Sequence, residues 1–212
     1  MKSVLYLFVI FTYWISNPAF SQSLEEILKA AEDGRTAEVA TLLSRGVDVN
    51  TSDRDGNTLM ILAARNRHRD LVALLLTRKS DVGRRNRYGD TALMTASLKG
   101  DLAVVKALVE AGADVNPGAG WNALHYAAFG GAAEVVNYLI GKGANKDAVA
   151  PNGYTPLMLA VRDGQVDGVK ALLFQDADAN FRNTAGETAL MVAQKRERKD
   201  LVELLKRAGA RE

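Results

Sequence analysis

GDTALMTASLKGDLAVVKALVEAGADVN, residues 89–116, contains two short helical patterns separated by a glycine. In its second half, apolar residues recur three and four positions apart, as in Val104, Val105 and Leu108, which is typical of one buried helix face. Gly100 can adopt the left-handed conformation that ends a helix, so it predicts a break between the two helices. The stretch therefore predicts a turn, a short helix, a tight turn, a second helix and a loop.

The same stretch recurs along the chain at a nearly constant period. Successive copies of its opening start 33, 31, 33 and 33 residues apart. A period of this length predicts a stack of small units instead of one globular core. An upstream segment, residues 24–50, has the two-helix pattern without the opening turn, which brings the number of units to six. The five openings are GNTLMILAA from Gly56, GDTALMTAS from Gly89, GWNALHYAA from Gly120, GYTPLMLAV from Gly153 and GETALMVAQ from Gly186.

A polar residue stands where each of these five first helices is predicted to begin. Its side-chain oxygen can accept a hydrogen bond from a free backbone N–H two or three residues further on. In the fifth unit Pro156 follows at the first helical position, where its missing N–H costs nothing. The predicted caps are Thr58, Thr91, Asn122, Thr155 and Thr188.

These residues resemble the ankyrin repeat, whose pattern is D-x-x-G-x-T-P-L-H-x-A-A, followed by G, by V-V-x-x-L-L and by G-A-D-x-N. The resemblance covers residues 24–210 and implies an all-α solenoid of about six helix-turn-helix units joined by β-turn or hairpin loops. Polar residues on the outer faces of the first and last units, which a stack needs at its ends, predict that the array is complete. We predict units at about 22–52, 53–85, 86–117, 118–149, 150–182 and 183–212.

Departures from the family pattern lead to three further predictions. Only His125 keeps the histidine of the pattern, and the resemblance implies a structural role for it within the turn network. It also implies a largely packed position for Tyr126. Lys79 and Ser80 replace the Gly-Ala that follows the second helix in the pattern, so we expect a distorted loop there.

Residues 1–21 are built differently from the rest of the chain. A positive residue precedes a twelve-residue apolar run, residues 4–15, and small residues follow it, which is the layout of an export signal. As a helix the run spans about 18 Å, well short of the ~30 Å hydrocarbon core, which disfavours a stable membrane span. We predict a signal peptide cleaved between Ser21 and Gln22, and a periplasmic or secreted mature chain. An uncleaved anchor and a buried first helix remain alternatives.

The sequence carries little recognisable catalytic chemistry. It has no cysteine and two histidines, and it lacks the G-x-S-x-G, H-E-x-x-H and phosphate-loop patterns. Residues 176–187 space their acidic and amide side chains like a calcium loop, but Phe181 stands where the sharp turn requires glycine. We therefore predict no catalytic residue, cofactor or metal site. The alternative of another class is a hydrolase using the carboxylates Asp90, Asp163 or Glu187.

The charge of the chain argues against nucleic acid as the partner. A net charge of +2 is too small for a protein whose affinity comes from phosphates. Charge is uneven, however, because residues 65–87 carry eight positive and two negative side chains. This segment could steer an acidic partner or touch anionic lipid or nucleic acid, or it could be an ordinary solvated surface.

A stack of helix pairs forms an extended concave surface. The resemblance implies that the turn tips and the ends of the first helices face it. An aromatic line through Tyr88, Trp121, Phe129 and Tyr154 is typical of a protein-recognition patch, although single exposed aromatic residues are common on any surface. We single out twelve residues of this face for partner binding: Arg54, Asp55, Arg65, Arg87, Tyr88, Lys99, Trp121, Phe129, Asn152, Tyr154, Arg162 and Asp163.

The function that follows is non-enzymatic. We predict an exported, monomeric adaptor or scaffold that binds another protein, of unknown identity, on its concave face. The chain resembles the small exported ankyrin-repeat proteins of bacteria, some of which are associated with oxidative-stress defence alongside a catalase. A periplasmic inhibitor or immunity protein against a toxin or phospholipase is the alternative binding function.

Overall fold

The structure is a computed structural model that describes residues 18–118 and 120–211. Within these ranges the chain forms twelve α-helices and no strand, and one isolated antiparallel bridge joins Ser52 to Thr58. The helices are α1 (Pro18–Glu32), α2 (Thr36–Ser44), α3 (Leu59–Arg65), α4 (Arg69–Thr77), α5 (Ala92–Leu98), α6 (Leu102–Glu110), α7 (Ala123–Phe129), α8 (Ala133–Gly141), α9 (Pro156–Arg162), α10 (Val166–Phe174), α11 (Ala189–Lys195) and α12 (Lys199–Arg207).

The helices pack in six pairs, each formed by two consecutive helices, and the pairs stack in chain order. Each first helix contacts the second helix of its own unit and the first helices of the neighbouring units. We call the contact between two neighbouring units a joint. At four of the five joints the first helices contact each other more extensively than the second helices do. The stack therefore curves, with the first helices and the turns on its inner, concave side. This arrangement confirms the predicted all-α repeat fold.

The predicted caps decide where the first helices begin. Each cap oxygen accepts a hydrogen bond from the backbone N–H three residues further on, which would otherwise be unpaired at the start of the helix. Pro156 is the first residue of α9, as predicted. The donor-to-acceptor distances are 3.2 Å at Thr58, 3.1 Å at Asn122 and 3.3 Å at Thr91, Thr155 and Thr188.

Small side chains on the first helices allow the units to approach one another. The alanine pairs Ala63-Ala64 and Ala127-Ala128 are fully buried between neighbouring units. The second helices contribute larger side chains, such as Leu108 and Leu139, which are also fully buried. Each such leucine stabilises the fold by about 1.5–3 kcal/mol relative to exposure. One apolar core consequently runs through the whole stack instead of closing within any unit.

In most units, a side chain in the loop after the second helix accepts a hydrogen bond from the backbone of the next unit. Asn50 Oδ1 accepts a hydrogen bond from the backbone N–H of Asp81, at 2.8 Å. Gly83 stands at the corresponding position of the second unit and has no side chain to make this bond. The joint between the second and third units therefore lacks it. Asn116, Asp147 and Asn180 make the same bond to the following unit at 2.7–2.9 Å.

The loop after α4 is not distorted, so the expectation drawn from Lys79 and Ser80 is wrong. Their backbone N–H groups donate to the last turn of α4 at 3.0 Å, and Gly112 and Ala113 make the same bonds to α6 at 3.0 and 2.9 Å. The physical reason is that Lys79 adopts the left-handed conformation, with φ at 59°, that glycine adopts at this position in four other units and Asp176 adopts in the fifth. A residue with a Cβ can do so at a cost of about 1 kcal/mol or more.

The predicted signal peptide lies mostly outside the described residues. Residues 1–17 are not among them, and α1 begins at Pro18, so this helix runs across the predicted cleavage site between Ser21 and Gln22. In the part of the chain that the structure does describe, no helix combines the length and the apolar character needed to cross a membrane. Signal cleavage and the exact unit boundaries stay predictions.

Replacing Lys79 by glycine should raise the free energy of unfolding by about 0.5–1 kcal/mol. Glycine removes the cost of the left-handed conformation, and its greater freedom in the unfolded chain offsets part of that gain. The midpoint of urea unfolding measures the change. Gly112→Ala is the opposite test, because φ is 92° there and nothing lies within 4 Å of the added Cβ. It should be destabilising, and an unchanged midpoint for Lys79→Gly would contradict the assigned strain.

Candidate functional site

Two rows of side chains run along the concave side, with one residue of each row in every unit from the second to the sixth. The first row comes from the last residue of each first helix, and the second from the residue directly before each helix cap. The first row is Arg65, Leu98, Phe129, Arg162 and Lys195, and the second is Asn57, Asp90, Trp121, Tyr154 and Glu187.

In the middle of the face the two rows border a depression of about 210 Å³. Leu98, Trp121, Tyr126 and Phe129 line it. The rings of Trp121 and Tyr126 meet edge to face, with their centroids 5.9 Å apart. The Tyr126 hydroxyl donates a hydrogen bond to the carboxylate of Asp90 in the preceding unit. Burial and this bond raise the pKa of Tyr126, so the hydroxyl stays protonated and continues to link the two units.

Glycine permits the close approach of helices beside this depression. Gly130 follows α7 directly, and a Cβ at this position would lie 2.4 Å from the carbonyl oxygen of Leu98, at the end of α5. A side chain here would therefore force the two helix ends apart. Among the helices described, α5 and α7 make the most extensive contact.

The turn that carries Trp121 is built differently from the others. In the third unit the Asn86 N–H donates to the carbonyl of Asp90 at 3.0 Å and closes the turn. Pro117 stands at the place of Asn86 in the fourth unit and has no N–H to donate. The spacing of 31 residues reflects the loop before this turn, which is two residues shorter than the loop before Asn86. Trp121 packs there against His125, with the ring centroids 5.6 Å apart.

Arg162 extends the aromatic cluster into the fifth unit. Its guanidinium carbon lies 5.8 Å from the ring centroid of Phe129 and 5.7 Å from that of Tyr154. Asp163 accepts hydrogen bonds from Nε and Nη2 at 3.0 and 2.8 Å, which fixes the guanidinium between the two rings. A cation over an aromatic face contributes about 0.5–1 kcal/mol when exposed and more when it is desolvated. The cluster is thus ordered by its own contacts.

Glu187 continues these contacts into the sixth unit. Its carboxylate accepts hydrogen bonds from Asn183 Nδ2 and Lys195 Nζ, both at 3.1 Å, and lies 3.5 Å from the Tyr154 hydroxyl. The bonds from Asn183 and Lys195 lower the pKa of Glu187. Glu187 is therefore ionised at neutral pH and acts as an acceptor for its neighbours.

The three carboxylates of the enzymatic alternative are not assembled into an acid–base pair. Asp90, Asp163 and Glu187 lie in three different units, and each is bound by a neighbouring side chain. A general acid needs a carboxyl group with a raised pKa, and the pKa of Glu187 is shifted the other way. The arrangement supports structural ordering of the face and not acid–base chemistry.

His125 has the structural role that the resemblance implied. It is fully buried, and its Nε2 donates to the carbonyl oxygen of Ala148 at 3.0 Å. Its Nδ1 lies 3.3 Å from the backbone N of Asn122, from which it accepts. Burial lowers the pKa of His125 to about 4, although the carbonyls of Ala148 and Tyr154 oppose the shift. The ring therefore ties α7 to the loop that leads into the next unit.

The twelve residues singled out from the sequence do not all lie together in the structure. It brings Trp121, Phe129, Tyr154, Arg162 and Asp163 together through the contacts above. Tyr88 is 75% exposed at its own turn tip and makes no ring contact with another described residue. That these residues bind a partner stays a prediction. Those at the surface are Arg54, Asp55, Arg87, Tyr88, Lys99, Phe129 and Asn152, and those half-buried are Arg65, Trp121, Tyr154, Arg162 and Asp163.

Sequence reasoning left Leu98 and Tyr126 out of this set. Tyr126 is half-buried, and its ring forms one wall of the depression. A signal was available in the internal alignment, because the position of Tyr126 holds Leu, Thr, Leu and Val in the other units that share the turn. Those four residues are all buried, and Tyr126 is larger than any of them, so its ring cannot be enclosed in the same space.

Comparison with known proteins identifies the family. The family model described as ankyrin repeats (3 copies) matches residues 27–119 and 116–183. The chain belongs to the ankyrin-repeat family. The solved structure of the human ASB11 ankyrin repeat domain superposes with a TM-score of 0.81 at 28% identity, over 87% of this chain and 84% of that one. Ankyrin repeats typically form non-catalytic modules that bind other proteins. The chain is therefore a protein–protein interaction module.

Two curated relatives differ in how much of their length they share with this ankyrin-repeat chain. The ankyrin repeat protein YahD of Escherichia coli (strain K12) is 28% identical over 193 residues, which are 87% of this chain and 96% of YahD. ZDHHC13 of Danio rerio, named as a palmitoyltransferase, is also 28% identical, over 84% of this chain. The chain spans 34% of the length of ZDHHC13, and the similarity lies in its ankyrin region.

Acidification should destabilise the ankyrin stack through His125. Its pKa is about 4 in the folded protein and about 6.5 in the unfolded chain, so between these values the unfolded chain binds a proton that the native state does not. The stability from neutral His125 should be complete above about pH 6.5 and lost as the pH falls towards about 4, by up to about 3 kcal/mol. Urea unfolding between about pH 7.5 and pH 4 measures this loss.

The matched control is His125→Met, because Met94, Met158 and Met191 occupy the same position in other units. This variant should be less stable than the parent at neutral pH, since it loses the bond to Ala148, but its stability should decline less on acidification. Equal declines in the two proteins would show that His125 is not the group responsible.

Proposed function

We propose that the protein is an exported, non-enzymatic adaptor that holds a partner protein on its concave face. The observation that carries the proposal is a continuous series of side-chain contacts over four units. We call these residues the concave band: Leu98, Trp121, Tyr126, Phe129, Tyr154, Arg162 and Glu187.

The composition of the concave band suits a protein partner. Trp, Tyr, Phe and Arg are the residues enriched at the centres of protein interfaces, because they offer large contact areas with few rotatable bonds. Here Arg162 and the flanking rings already hold one another in place, so little side-chain freedom is lost on binding. A preordered surface of this kind supports tight binding.

The size of the depression favours a side chain over a small molecule as its occupant. Its volume of about 210 Å³ is below the ~300–1,000 Å³ of typical small-molecule sites. It is also shallow and open along the stack, so it would bury only part of a free ligand. One large apolar side chain of a partner protein fills a depression of this size.

Export and the biological setting are parts of the same proposal. The composition of residues 1–21 supports export to the periplasm or beyond. A role in oxidative-stress defence and a role as inhibitor of a toxin or phospholipase would use the same surface with different partners. Identification of the captured protein separates these two roles.

Replacing both Trp121 and Tyr154 by alanine should reduce partner capture at least about tenfold, since residues at the centre of an interface contribute most of its binding energy. Capture is measured with a tagged copy in periplasmic extract, followed by mass spectrometry. Helical content and melting should change little, because both side chains are only half-buried and Tyr154 packs at the edge of the apolar core, not inside it.

Phe174→Ala is the matched control. Phe174 is an exposed aromatic residue, 82% accessible, at the end of the second helix α10 and away from the concave side. It should leave capture unchanged. Undiminished capture by the double variant would place the interface elsewhere, and loss of capture in Phe174→Ala would point to the convex side.

Export predicts a defined amino terminus. The intact mass of the chain recovered from the periplasm or medium should correspond to a protein that begins at Gln22, because cleavage follows the small residue before it. Recovery of the full-length chain in the membrane fraction would support the uncleaved anchor instead. Recovery of the full-length chain from the cytoplasm would contradict export.

A further inference from the structure

The concave face carries positive charge that the chain itself does not neutralise. Each carboxylate on it has a partner: Arg87 lies 3.6 Å from Asp55, and Asp90, Asp163 and Glu187 are bound as described above. Arg65 and Lys99 have no carboxylate within 4 Å among the residues that the structure describes. They are therefore available to an external anion.

These two cations lie next to the depression. Lys99 directly follows Leu98, which lines it, and Arg65 holds in the second unit the position that Leu98 holds in the third. Along the stack, the first row therefore begins with the cation Arg65 and continues with two apolar walls of the depression, Leu98 and Phe129. Arg162 follows, and Asp163 already neutralises its charge. Free positive charge consequently flanks the depression on the side of the second unit.

We propose that this surface binds an extended acidic segment of the partner, with one large apolar side chain in the depression and one or two carboxylates at Arg65 and Lys99. The inference rests on the proposed function and adds the chemistry of the partner. Neighbouring units lie about 8–10 Å apart, and an extended chain advances about 3.3 Å per residue. The carboxylates therefore stand about three to five residues from the apolar side chain.

A single-stranded nucleic acid also combines negative charge with stacking groups, but the face suits it less well. Asp55, Asp163 and Glu187 lie along the same track as the aromatic residues. A strand with a phosphate at every nucleotide would have to pass these carboxylates. A peptide can place its few carboxylates at the free cations of the second and third units, which avoids this repulsion.

The experiment selects binders of the purified protein from a displayed library of random peptides of about twelve residues, which span about 40 Å when extended. Enriched sequences should combine a Trp, Phe, Leu or Met with an Asp or Glu three to five residues away. Fluorescence anisotropy with the best labelled peptide then gives affinities. The paired change Arg65→Glu with Lys99→Glu should weaken binding at least about tenfold, because it replaces attraction with repulsion.

The matched control is Arg45→Glu with Arg78→Glu. These two exposed arginines also lie at helix C-termini, carry no ion pair among the described residues, and give the same change in net charge. The control should alter affinity less than about twofold. A peptide in which lysines replace the acidic residues should lose affinity for the parent protein and regain it with the Arg65→Glu, Lys99→Glu variant, as expected for direct charge pairing.

Several results would overturn the inference. These are a library that yields no binder, enrichment of neutral or basic sequences, equal weakening by the control pair, and tighter binding of a labelled twelve-nucleotide oligothymidine. They are distinct from failure of the proposed function. If capture of the partner depends on Trp121 and Tyr154 but not on Arg65 and Lys99, the adaptor function stands and only the acidic chemistry fails. If it depends on neither pair, both fail.

Discussion

No unit of this protein can cover its own apolar surface. A pair of short helices leaves apolar side chains exposed on two sides, and only the next pair along the chain can bury them. Leu108 and Leu139 are fully buried because a neighbouring unit lies against each of their helices. The alanine pairs of the first helices let those neighbours come close. Stability is consequently a sum of units and joints, and the apolar core extends along the stack instead of lying at one centre.

This constraint also decides where function can lie. Residues between the units are occupied by packing, which leaves the turns and the ends of the first helices free to vary. Along the first row the same backbone position holds Arg, Leu, Phe, Arg and Lys. A fixed scaffold thus presents a variable strip of side chains. The strip is long and shallow, which suits the surface of another protein better than a small substrate that must be enclosed.

The joint between the third and fourth units connects stability with the candidate site. Asn116 makes the loop bond across this joint, but Pro117 removes the backbone bond that closes the next turn. At the same joint α5 and α7 approach closely at Gly130, and Tyr126 bonds to Asp90 of the preceding unit. The depression lies at this same joint. The contacts that hold these two units together therefore also shape the surface that is proposed to bind a partner.

The sequence by itself determined the repeating units, the helix caps and the structural role of His125. Each of these depends on residues within one unit of about 33 positions, where the order of residue types is enough to predict the contacts. Only the tertiary structure decided that Tyr126 lines the depression, that Arg162 lies between two rings, and that Lys79 takes a glycine conformation. The first two depend on side chains from adjacent units, whose relative position follows from packing. The third depends on the balance between local strain and the bonds that the loop makes, which a residue name does not reveal.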